Sequence, residues 1–147
     1  MYMCDDVTGD PFELNRFVQA QDTVYRTVLS ELRAGRKRSH WMWFVFPQLR
    51  GLGSSPTAVR FGITSVEEAR AYLDHELLGF RLRECVRLVA AIEGRTAQEV
   101  FGRPDDMKLR SSMTLFAMAT DDNADFVAVL DKFYAGEKDP ITAARLT

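Results

Sequence analysis

Apolar residues recur along this chain at three- and four-residue steps, and polar punctuation separates the runs. Val24, Tyr25, Val28, Leu29 and Leu32 keep helical spacing, which predicts a helix from about Asp22 to Ala34 that Gly35 stops. Leu78, Leu82, Cys85, Val89 and Ile92 form a second stripe, ended by Gly94. Leu109, Met113 and Phe116 form a third, and Phe126, Val127, Leu130, Phe133 and Tyr134 a fourth, stopped by Gly136. Starts are marked as clearly. Asp10-Pro11-Phe12-Glu13 reads as an N-cap, a proline at the first helical position and an acid at the third. Ser55-Pro56 opens a short helix that Gly62 closes. Ser65 with Glu68 reads as a capping box for a helix to about His75, and Thr96 with Glu99 as another. Pro104, Asn123 and Asp139-Pro140 open the remaining helices.

One segment resists the pattern. Trp41 to Phe46 is almost wholly apolar. Its aromatic and β-branched content favours a strand. Ser39 before it, Pro47 after it and the lack of a partner strand favour a buried helix. Alternating runs and Asn-Gly or Asp-Gly turns are absent elsewhere. The expected fold is all-α, with roughly eight short to medium helices by the cap count. Residues 1–9 are read as a flexible tail and residues 10–147 as one helical domain. Trp43, Phe44, Leu82, Phe116, Leu130 and Phe133 are expected in the core.

Composition narrows the function classes. The chain has 147 residues, enough to bury a core without staples. Its net charge is −2, so nucleic acid is not the expected partner. No apolar run is long enough to span a bilayer, and a monomer is expected. The two cysteines, Cys4 and Cys85, cannot make a disulfide framework, which fits a reducing, cytoplasmic setting. With only His40 and His75 as histidines, no metal cluster and no cofactor is implied.

Candidate chemistry concentrates between Gly35 and Phe44. Arg36, Lys37 and Arg38 precede Ser39, His40, Trp41 and Trp43. Arginines beside a helix N-terminus make a natural phosphate or carboxylate site, and a tryptophan offers a stacking face. Lys108, Arg110 and Ser111 echo this pattern, with a phenylalanine five residues after each serine. The expectation is one basic, aromatic-lined pocket built from both Arg-Ser segments. Set against it, the cations cover a solvated turn and the tryptophans are core. A histidine beside cations is available as a neutral base, so His40 is the candidate base, with Asp106 or Asp105 to orient it. His75 is read as a cap at a helix C-terminus, and Gly51-x-Gly53 as a weak anion-binding loop.

The runs Asp10-Pro11-Phe12, Arg16-Phe17-Val18-x-Ala20-Gln21, Gly35 to Phe44, Phe46-Pro47-Gln48-Leu49, Phe101-Gly102-x-Pro104-Asp105-Asp106 and Lys108 to Phe116 resemble a bacterial family, domain of unknown function 1810. The resemblance covers nearly the whole chain and implies a compact, mainly α-helical domain. It implies no activity, substrate or catalytic residue. Its members are sometimes labelled calpastatin, but inhibitors of that kind are disordered and this chain reads as globular. Two functions follow from the residues. The first is binding, with or without processing, of a phosphate-bearing small molecule such as a nucleotide or an ADP-ribose-like group. The second is a helical interaction module without catalysis.

Overall fold

A computed structural model describes residues 10–147; the tail and Cys4 lie outside the described residues. Ten helices follow one another: α1 (Asn15–Asp22), α2 (Tyr25–Ala34), α3 (Met42–Val45), α4 (Pro56–Phe61), α5 (Val66–Asp74), α6 (Glu76–Ala90), α7 (Ala97–Phe101), α8 (Asp105–Ala119), α9 (Ala124–Tyr134) and α10 (Pro140–Leu146). Among the described residues there is no strand, only a single parallel bridge between Leu49 and Ile63. The chain is one all-α domain, as the caps predict, with more and shorter helices than the cap count gave.

The centre is α8. Ten of its residues are buried, on nearly every face, because α5, α7, α9 and α10 surround it. The other long helix, α6, packs against α2, α5 and α9. Gly79 explains how α5 and α6 meet at a sharp corner. A Cβ there would lie 2.1 Å from the carbonyl oxygen of Leu73, so only glycine permits the approach. His75 sits at this corner as the C-cap of α5, as expected, and also as the N-cap of α6. Its Nδ1 accepts from the N–H groups of Leu77 and Leu78, both at 3.2 Å.

Several starts match the sequence reading. Ser55 accepts from Ala58 N–H, and Asp139 from Thr142 N–H. Thr96 and Glu99 make the full capping box. Ser65 caps α5, but the Glu68 carboxylate turns instead to Thr64 and Arg16. Asp10 accepts from the N–H groups of Leu14 and Asn15, so the helix begins later than Asp10. The single helix expected from about Asp22 begins at Tyr25, because Val24 leaves helical geometry at φ −126°.

Leu82, Phe116 and Leu130 are core, as expected, whereas Trp43, Phe44 and Phe133 are only half-buried against it. Trp41 is the buried tryptophan, at 1% exposure. The ambiguous Trp41–Phe46 segment forms one helical turn, α3, whose N-cap is Trp41 and not Ser39.

Candidate functional site: an arginine-lined depression at the end of α2

Gly35 ends α2 in the left-handed region at φ 72°. The side chain of Arg95 lies across it, 3.7 Å from where a Cβ would stand. The chain then doubles back. Arg36 N–H donates to the Glu31 carbonyl, and Lys37 N–H donates to the Val100 carbonyl at 2.8 Å. The loop closes around the Glu31 carboxylate. One oxygen accepts from Arg38 N–H (2.8 Å), Ser39 N–H (3.0 Å) and the Trp41 indole (2.9 Å); the other accepts from the Ser39 hydroxyl (2.6 Å).

Burial pushes this carboxyl upward. The Ser39 hydroxyl, the two backbone N–H groups and the indole outweigh that, and hold it at about 2 against an ordinary 4.5. The donors expected to receive an external anion are therefore present, but the protein's own carboxylate occupies them. Ser39 caps no helix and offers no free hydroxyl proton.

Around Glu31 lies an open depression of about 620 Å³. Arg36 and Arg38 reach it from the loop, Arg26 from α2 and Arg95 from the α6–α7 connection. Thr27 and Ser30 add hydroxyls from the exposed face of α2. Among the described residues, none of these four arginines makes a side-chain hydrogen bond or ion pair. A second depression collects Arg16, Arg50 and Arg60, but it also brings Glu13 and Glu68. There Arg16 is fully engaged by Glu68 and the carbonyls of Phe12, Glu13, Arg60 and Gly62.

The neighbouring cations have another fate. Lys37 Nζ lies 2.9 Å from one Asp105 oxygen, and Lys108 Nζ 3.3 Å from the other. Lys37 also stands 5.1 Å from the Trp41 ring centroid, and Lys108 3.7 Å from that of Trp43. The two Arg-Ser segments do meet, but through their lysines, on one carboxylate and between two tryptophans.

The shared aromatic pocket does not form. Trp41 lies beneath the depression and Trp43 carries Lys108; neither lines it. Arg110 donates to the carbonyls of Glu137 (3.0 Å) and Lys138 (2.8 Å), tying α8 to the loop before α10. Ser111 bonds back to the Met107 carbonyl at 3.2 Å, as mid-helix serines do. Asp106 is buried, with one oxygen accepting from Met107 N–H, and it makes no hydrogen bond to His40. His40 is exposed, and neither it nor Asp106 lines the depression. Gly51-x-Gly53 is no open cradle, because Arg145 and the Trp43 ring pack against it. Cys85 is buried, and burial pushes its thiol up to about 12.

Sequence reasoning found Arg36 and Arg38 but missed Arg26, Thr27, Ser30, Glu31 and Arg95. Glu31 had a signal. It is an acid beside Leu32, three residues after Val28, on an otherwise apolar stripe.

The fold and this site define a helical protein of a family without an assigned reaction. The chain belongs to the family described as protein of unknown function (DUF1810), which matches residues 11–146. The crystal structure of the conserved hypothetical protein Rv1873 from Mycobacterium tuberculosis is similar throughout: 68% identity, TM-score 0.93, covering 93% of this chain and 98% of that one. No curated protein matches. Among the described residues, no helix is long and apolar enough to cross a membrane.

Proposed function

We propose that this protein binds a phosphate-bearing small molecule in the arginine-lined depression at the end of α2. One observation carries the reading: four exposed arginines gather around one concavity with no partner among the described residues. Like charges repel, and ordinary folds place carboxylates among them, as Asp105 sits between Lys37 and Lys108. Guanidinium groups suit phosphate because their planar forks donate two parallel bonds. A local positive field on a protein of net charge −2 also steers anions to one place. Glu31 offsets only one of the four positive charges, and its oxygens are already taken by four internal donors. The proposal is binding, and it assigns no reaction to His40 or Asp106. The free buried thiol of Cys85 fits the reducing, cytoplasmic setting that accompanies this reading.

A thermal-shift screen against nucleotides and sugar phosphates tests it. A ligand at 100 times its Kd stabilises by about 2.7 kcal/mol. The upward shift is expected in the wild type and should shrink in Arg38→Ala and Arg95→Ala. A shift that those substitutions leave intact contradicts the site. No shift with any anion would put the interaction-module reading in front.

A further inference from the structure

We infer that the depression selects ligands carrying two linked phosphoryl groups over those carrying one, and that it ignores the identity of any base attached to them. This inference rests on the anion-binding reading above and deepens it. Four guanidinium groups face one carboxylate, which leaves a surplus of three positive charges around the depression. Guanidinium never releases its proton in this setting. Glu31 does not take one up near neutrality either, because its four donors hold it ionised.

A phosphate monoester carries roughly −1.5 to −2 near pH 7, so it leaves part of that surplus uncompensated. A second phosphoryl group brings the ligand's charge close to the surplus. It also supplies enough oxygen atoms for the guanidinium forks on three chain segments to be used together. Size agrees. A depression of about 620 Å³ lies within the range of small-molecule sites and is far larger than a single phosphate.

The lining supplies the second half of the inference. Thr27 and Ser30 lie on one face of α2, exposed, and make no side-chain hydrogen bonds among the described residues. Each hydroxyl can both donate and accept, which suits a sugar or polyol beside the phosphates. Among the described residues no aromatic side chain lines the depression, and Trp41 lies below it with 1% exposure. With no described aromatic to stack a base, and the guanidinium planes engaged on phosphate oxygens, affinity follows the phosphates.

Calorimetric titration of the full chain at fixed ionic strength tests both halves, with inorganic phosphate, inorganic pyrophosphate, adenosine diphosphate and uridine diphosphate as probes. Pyrophosphate is expected to bind about 10-fold or more tightly than phosphate, a difference that one further charge-assisted contact accounts for. The two nucleotides should agree within about 2-fold. Arg38→Ala and Arg95→Ala, which remove exposed side chains, should keep the wild-type melting profile and lose more affinity for pyrophosphate than for phosphate. Equal affinity for phosphate and pyrophosphate overturns the two-phosphoryl inference but leaves the anion site standing. A strong preference for one base overturns the base-blind half. No binding of any probe, or binding that both variants retain in full, overturns this inference and the proposed function together.

Discussion

Lys37 and Arg38 are adjacent in the chain and carry the same charge, yet the fold puts them to opposite uses. Lys37 turns inward, 6% exposed, onto Asp105 and the Trp41 ring, where it locks the loop after α2 to α8. Arg38 turns outward, and its side chain has no partner among the described residues. The same contrast separates Lys108 from Arg36. The lysines share a carboxylate between two rings, while the arginines share a depression whose one carboxylate among the described residues, Glu31, is already engaged by other donors. A run of cations in a sequence therefore has no single meaning. What decides is where the carboxylates lie in space, and whether their lone pairs remain available.

The largest expected effect falls on the residue that sets this contrast. Glu31→Ala leaves two backbone N–H groups and a buried indole without their acceptor. The carboxyl held at about 2 instead of 4.5 corresponds to roughly 3 kcal/mol of stability near neutrality. Chemical denaturation should show a loss of that order, and a loss under about 1 kcal/mol would mean that the loop does not depend on Glu31. The pH dependence has a definite sign. A depressed carboxyl contributes fully above its unfolded value, and the contribution fades as pH falls from about 4.5 toward 2. Wild type should lose stability across that window more steeply than Glu31→Gln does.

A smaller effect is expected at Asp105. Asp105→Ala strands the nearly buried Lys37 and should cost about 1–3 kcal/mol in thermal denaturation. Adding Lys37→Met should recover part of the loss, because the two side chains form one unit. Simple additivity of the two losses would show that the bridge is a surface pair of little consequence.

The arginines should show the least effect on stability. Arg36→Ala and Arg38→Ala should each stay within about 0.5 kcal/mol of wild type by denaturation, since no side-chain hydrogen bond or ion pair among the described residues is lost and repulsion is relieved. A loss comparable to that of Asp105→Ala would erase the distinction between the two regions.

Much of the fold was legible because its signals are local. Thr96 with Glu99, Ser55-Pro56 and Asp139-Pro140 fix helix starts within one turn of chain, and the stripes on α6 and α8 face inward as their spacing requires. The start of α2 was set too early, at Asp22, because the break at Val24 carries no glycine or proline to announce it. The site was legible only in part. Arg36 and Arg38 stand in a visible cationic run, but Arg26 and Arg95 join them only after α2 and the α6–α7 connection are brought together at Gly35. The pairing of Asp105 with Lys37 spans distant sequence, and no spacing rule encodes it. Trp41 and Trp43 looked alike, yet only Trp41 reaches an acceptor that lets its indole N–H be buried.

The two tryptophans offer the most direct test, because one indole reports on each region. Trp41 donates its N–H to Glu31, at the floor of the depression, and Trp43 lies under Lys108 beside the neutralised cluster. Inorganic pyrophosphate titrated into nitrogen-15-labelled protein should shift the Trp41 indole resonance to saturation and leave that of Trp43 in place. A saturable shift of Trp43 with Trp41 unmoved, or no shift of either, would contradict the assignment of the arginine depression as the anion site.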